Sequence, residues 1–160
     1  MDSVLFCVLC HSSAPDLFTL SSVCRETRSI FIRKSFWKAR FSLLDIEHDQ
    51  PSLQVYLHYL QLEKQLRGCK KAPVIFYMKL DLDMVRKSSA TKELIDNLDR
   101  AEREGRPGKY LFYMQKLQIL FDSYFIVEKK AGKYTLSTKK STLVLDRDKT
   151  QILNLLLALC

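Results

Sequence analysis

Glycine and proline are scarce in this chain, at four each among 160 residues. That scarcity excludes collagen-like and low-complexity architectures, and it makes a glycine-rich phosphate-cradling loop improbable. Long hydrophobic runs are missing too. The longest, Val4–Cys10 and Leu155–Cys160, fall far short of the roughly 18 residues that a membrane span needs. The first residues carry Asp2 and neither Lys nor Arg, so the basic start of a secretory signal is lacking. The expectation is an intracellular protein, cytoplasmic or nuclear, with no membrane partner. The five cysteines Cys7, Cys10, Cys24, Cys69 and Cys160 make an odd number, and reduced thiols fit them better than a disulfide framework.

What remains is a globular composition, 47% hydrophobic and 28% charged. The formal net charge is +8. Residues 1–50 carry six basic and six acidic side chains, and residues 51–160 carry 20 and 12, so the excess lies wholly in the second stretch. Two parts with such different charge are expected to meet different partners.

Hydrophobic spacing places a short apolar helix over residues 3–11, followed by a break at Ser12-Ser13-Ala14-Pro15-Asp16, where Ser13 or Asp16 can cap the next helix. Leu17, Leu20, Val23, Cys24 and Phe31 recur at helical spacing, and a third helix runs through Phe36–Phe41. Three short helices thus occupy residues 1–44, a block too small to bury a core of its own. Residues 45–52 are polar and contain Pro51, and read as a linker. Beyond it, residues 53–160 read as a helix ending near Gly68, a buried strand at Val74–Met78, and a helix capped by Ser88 or Ser89. A turn at Gly105–Gly108, a helix over 109–122 and a hairpin turning at Lys129–Gly132 come next. A strand at Thr142–Leu145 and a helix over 150–159 capped by Asp148 complete the chain. The last helix is apolar round most of its circumference, which implies burial or self-association through residues 150–160. Residues 80–84 are ambiguous between a strand and a capped helix start. The expected class is α+β, mostly α.

Several patterns imitate chemistry. Cys7-Val8-Leu9-Cys10-His11 spells the haem c attachment pattern, but it lies in an apolar helix without an export signal. Cys7, Cys10, His11 and Cys24 could be assembled as zinc ligands, yet there is no second compact pair at zinc-site spacing. Asp81 and Asp83 would share one side of an extended segment, with no third carboxylate or His close by in sequence. His48 and His58 lack a nucleophile beside them. No enzyme activity, metal or cofactor is expected.

One ordered set of residues is more specific. Val4-Leu5-Phe6-Cys7-Val8-Leu9 is followed by Pro15-Asp16-Leu17, then Leu20-Ser21-Ser22-Val23-Cys24-Arg25, then Ser35-Phe36-Trp37-Lys38. In order and spacing the stretch from Asp2 to Phe41 resembles an F-box. It departs from the family in lacking an opening Leu-Pro pair, and in having Glu26-Thr27-Arg28 where a Trp-Arg pair is usual; Phe31 is the nearest apolar stand-in. The resemblance implies docking on the Skp1 adaptor of a cullin ubiquitin ligase. Leu5, Leu9, Pro15, Leu17, Leu20, Val23 and Trp37 would be the partner-binding residues, and residues 53–160 would recruit a target protein of unknown identity. The chain also looks similar to the short F-box-like proteins of large DNA viruses of protists, which implies a virus-encoded origin in a eukaryotic host.

The element order in residues 53–160 resembles a winged helix. That resemblance implies a rival function, a basic nucleic-acid-binding or virion- or chromatin-associated protein. Lys109, Tyr113, Gln115, Lys116 and Gln118 would then enter the groove, and Lys129, Lys130, Lys133, Lys139 and Lys140 would meet phosphate.

Overall fold

A computed structural model describes residues 2–160, with Asp2 described in its backbone alone; Met1, the first residue of the expected N-terminal block, lies outside the described residues. The chain is mixed α+β and mostly helical, and it gathers into two compact units.

Among the described residues, the first unit comprises residues 2–64 and 148–158. It contains α1 (Asp2–His11), α2 (Ala14–Ser21), α3 (Arg25–Phe31) and α4 (Lys34–Leu43). To these it adds α5 (Leu53–Gly68) as far as Lys64 and nearly all of α9 (Lys149–Leu159). Ser13 caps α2 by accepting the Asp16 N–H, and Pro15 sits in the first turn. The single helix expected between Leu17 and Phe31 is two. The Ser21 and Ser22 hydroxyls turn back onto the carbonyls of Phe18 and Thr19, at 2.9 and 2.8 Å. Cys24 is extended and forms a capping box with Thr27, which starts α3 afresh. Side chains that hydrogen-bond their own backbone stop a helix that hydrophobic spacing alone would continue.

Aromatic rings fill the core of this unit. Phe36 and Trp37 meet edge to face at 5.0 Å, Phe31 and Trp37 at 5.1 Å, and Phe6 and Phe36 at 5.9 Å. Trp37 Nε1 donates to the Phe31 carbonyl at 2.9 Å, so Phe31 anchors the ring from both its side chain and its backbone. Arg40 is 2% exposed. Its Nη1 donates to the carbonyls of Leu9 and Cys10 at the end of α1, and its Nη2 to the Tyr56 hydroxyl on α5 at 2.7 Å.

Two expectations change here. The segment after residue 44 is not only a linker: Ile46 is buried, and Asn154 of α9 bonds to the Asp45 carbonyl and the Glu47 N–H. Those bonds, with the apolar side chains of α5, hold residues 53–64 and 148–158 in the N-terminal unit, not with the basic part. The apolar circumference of α9, for which burial and self-association were both open, is buried within the chain, with Ile152, Leu153, Leu156 and Leu157 all at 2% exposure or less.

The second unit comprises residues 65–147 and 159–160. Its antiparallel sheet runs β1-β2-β3-β4, built from β1 (Val74–Tyr77), β2 (Tyr124–Lys130), β3 (Lys133–Ser137) and β4 (Thr142–Leu145). Phe76 lies opposite Phe125 in the register and the two buried rings stack at 5.8 Å. The hairpin turns through Ala131 and Gly132, both at positive φ, as a two-residue turn between twisted strands requires. Between β1 and β2 lie α6 (Leu82–Arg86), a single 3-10 turn at Ser89–Thr91, α7 (Lys92–Arg103) and α8 (Pro107–Leu120). Val85, Ile95, Leu98 and Leu117 form their shared core.

The ambiguous 80–84 segment resolves as a helix start: Asp81 caps α6 by accepting the N–H groups of Asp83 and Met84, so the two carboxylates do not share a strand face. Neither Ser88 nor Ser89 caps α7. The buried Thr91 hydroxyl instead bonds the Val85 and Ser88 carbonyls and forms the 3-10 turn ahead of it.

Because Arg40 satisfies two carbonyls and a hydroxyl that are shut away from water, removing it should be costly. Arg40→Met is expected to lower unfolding free energy by about 3 kcal/mol or more, and Tyr56→Phe by about 1 kcal/mol. Urea denaturation monitored by Trp37 fluorescence measures both. Equal and negligible shifts would mean that the guanidinium contributes nothing net.

Candidate functional site

The N-terminal helices divide their apolar side chains between core and surface. Of the seven residues expected to bind a partner, Leu9, Leu17 and Trp37 are in the core, at 1%, 0% and 3% exposure. They hold the helices together and present no face, because the Phe31–Phe36–Trp37 cluster and the inner side of α1 need them. Leu5 and Leu20 are half-buried, and Pro15 and Val23 are exposed. Other apolar residues of the same helices are exposed as well. Val4, Cys7 and Val8 are exposed at helical spacing on α1, opposite the buried Leu9 and Cys10. Ile32, just after α3, is the most exposed large apolar residue described, at 76%. A helix apolar all round could have signalled this: one side enters the core and the other is left over. A shallow groove of about 840 Å³ lies nearby in the same unit, walled by Phe31, Ile32 and Trp37 on one side and by residues 48–55 on the other.

The imitations of chemistry do not assemble. Cys7 is exposed and Cys10 buried, so the two thiols of the haem-like pattern face different ways. Among the described residues no group of three or more His, Cys, Asp or Glu is placed to hold a metal ion. His48 Nδ1 accepts the Gln50 N–H at 3.0 Å, a local turn contact. Among the described residues no helix is long and apolar enough to cross a membrane.

The basic part differs from the expected nucleic-acid surface in two respects. Gln118, expected in the groove, is buried, and its Nε2 donates to the Met78 carbonyl at 2.8 Å. Three of the lysines expected on phosphate already face acids. Lys130 pairs with Glu128 at 2.9 Å, Lys133 with Asp146 at 3.4 Å, and Lys139 with Asp122. The Asp122 carboxylate, through its hydrogen bond first and its charge second, raises the Lys139 pKa. Lys129 lies over the Tyr134 ring at 4.9 Å, and Lys140 is exposed. On α8, Lys109 is exposed and Lys116 sits over the Phe112 ring at 4.4 Å.

The thiols can be ranked by surroundings. Burial pushes Cys69 up to about 11. It pushes Cys160 to about 11 as well, against the opposing pull of Lys79. Burial also raises Cys10. A raised pKa leaves little thiolate, the form that reacts, at about 0.1% for such a group at pH 8. Native alkylation with iodoacetamide at pH 8 should therefore mark exposed Cys7 first. Cys69 and Cys160 should follow only as the pH nears 11, which peptide mass mapping would show; early labelling of Cys69 would contradict this placement.

No curated protein and no solved structure matches the chain. The F-box domain family model matches residues 2–39, the stretch that holds α1, α2, α3 and most of α4, and F-box domains are protein-interaction modules that typically engage Skp1.

Proposed function

We propose that this protein is a non-enzymatic adaptor whose N-terminal unit docks on a Skp1-type protein and whose basic unit recruits a target to a cullin ubiquitin ligase. The observation that carries the reading is the coincidence of the F-box match with apolar side chains left on the outside of the same helices. Val4 and Val8 on α1 and Val23 after α2 are 67%, 48% and 68% exposed. Exposed apolar side chains scattered singly are ordinary, but several on short helices in a matched interaction module have a use. Burying them against a partner's hydrophobic groove supplies affinity through a few anchors, with Pro15, Leu5 and Leu20 at the margin. Leu9, Leu17 and Trp37 act one layer below, by fixing where those anchors stand. The ubiquitin chemistry belongs to the other components.

Lysines already neutralised by Glu128, Asp146 and Asp122 leave less free charge for phosphate, so the adaptor reading is preferred to the nucleic-acid one. It is tested by capture of purified Skp1 on the immobilised chain. Val8→Asp with Val23→Asp changes exposed positions only and should leave the circular dichroism spectrum intact. Capture should fall roughly tenfold or more, as loss of two interface anchors implies. Absence of capture by the unaltered chain, or capture indifferent to the double substitution, would sink the reading.

A further inference from the structure

The second unit leaves one helix face uncovered. On α8, Leu111, Phe112, Ile119 and Leu120 are 56%, 52%, 48% and 56% exposed, while Leu117 is buried on the opposite side and Gln118 is buried at the edge next to Leu111. At about 100° per residue these four span roughly half the helix circumference, with Phe112 and Ile119 at its centre. Gly108, one turn before Phe112, has nothing within 4 Å of where a Cβ would stand, so the face is notched at its N-terminal end. Four large apolar side chains on one helix exceed the scatter expected of a surface that meets only water.

The charge around the face selects its occupant. No acidic residue lies between Pro107 and Phe121, whereas Lys109 and Lys116 lie toward one edge of the exposed arc. The unit as a whole has 18 basic and ten acidic side chains, a net +8, while the N-terminal unit has eight of each. Lys116 rests its ammonium on the Phe112 ring, which places a cation directly beside the apolar centre. A second copy of this chain would bring like charge to like charge. Nucleic acid would gain phosphate contacts from the lysines but would have to cover Leu111, Phe112, Ile119 and Leu120 with a polar backbone. A helix with an apolar stripe flanked by Asp and Glu satisfies both parts at once.

We infer that the exposed face of α8 is the docking site for an acidic amphipathic helix of a partner protein, with Phe112 and Ile119 as apolar anchors and Lys109 and Lys116 reading the acidic flank. This deepens the adaptor reading, since it rests on the assignment of target recruitment to the basic unit and gives that target a chemistry.

The probe is a pair of synthetic helical peptides with one Leu/Phe stripe, flanked by Glu in one and by Lys in the other, titrated against the full chain by fluorescence anisotropy. The Glu-flanked peptide is expected to bind at least about tenfold more tightly, with the preference shrinking in high salt. Phe112→Ala with Ile119→Ala should cost about tenfold or more. Lys109→Glu with Lys116→Glu should reverse the preference between the peptides. Both pairs alter exposed side chains, and circular dichroism checks the fold. Equal binding of both peptides, indifference to either pair, concentration-dependent dimers through this face, or duplex DNA displacing the peptide each overturn the inference. Skp1 capture by the same variants separates the two proposals. Capture without peptide binding removes the α8 site alone, and peptide binding without capture removes the adaptor reading alone.

Discussion

A single buried guanidinium organises the N-terminal unit. The last carbonyls of any helix lack partners within it, and at the end of α1 they point into protein, where an unmet carbonyl is costly. Arg40, on α4, meets two of them and reaches the Tyr56 hydroxyl on α5 with its other nitrogen. The Tyr56 ring lies 4.9 Å from the guanidinium carbon and 5.5 Å from the Trp37 ring. One side chain therefore links the end of the first helix, the fourth helix and the fifth. Val4 and Val8 face outward because the other side of α1 is taken up by Leu9, Cys10 and Phe6, whose ring meets Phe36 at 5.9 Å.

The same unit shows how a block too small to fold by itself is completed. Residues 2–39 match a known interaction module, yet the unit that contains them also takes residues up to 64 and 148–158 from the far end of the chain. Asn154 secures the return by bonding Asp45 and Glu47, and the Lys149–Glu63 pair adds an exposed ionic contact of small worth. With α9 given to the neutral unit, the whole +8 is left on residues 65–147 and 159–160. A neutral unit with exposed valines and a basic unit with an exposed aromatic-aliphatic helix face are two surfaces of different chemistry. Under the proposed adaptor reading, each meets a different partner.

Much of this was readable in the residues. The first helix, expected over 3–11, Ser13 and Pro15 at the start of the second helix, the Ala131–Gly132 hairpin and Asp148 capping the last helix each follow from local preference. The ordered Pro-Asp-Leu, Val-Cys-Arg and Trp elements lie in the stretch that the F-box domain model matches. The candidate site was legible only in outline. Leu9, Leu17 and Trp37 are as apolar as surface anchors and are core, while Val4, Val8 and Ile32, outside the expected partner-binding set, are surface. Gln118 looked like a reader of bases and is a buried support for the Met78 carbonyl.

Composition and spacing by themselves determined most of the elements, the class, the uneven charge of the two stretches and the ordered residues at the start, because these depend on interactions within a few residues or on sums over the chain. Tertiary structure alone decided which apolar side chains are spent on the core and which remain outside, that α9 joins the N-terminal unit, and that Lys130, Lys133 and Lys139 meet acids. Those outcomes depend on side chains brought together across a fold, and a helix that is greasy on every side carries no mark of which side another helix will cover.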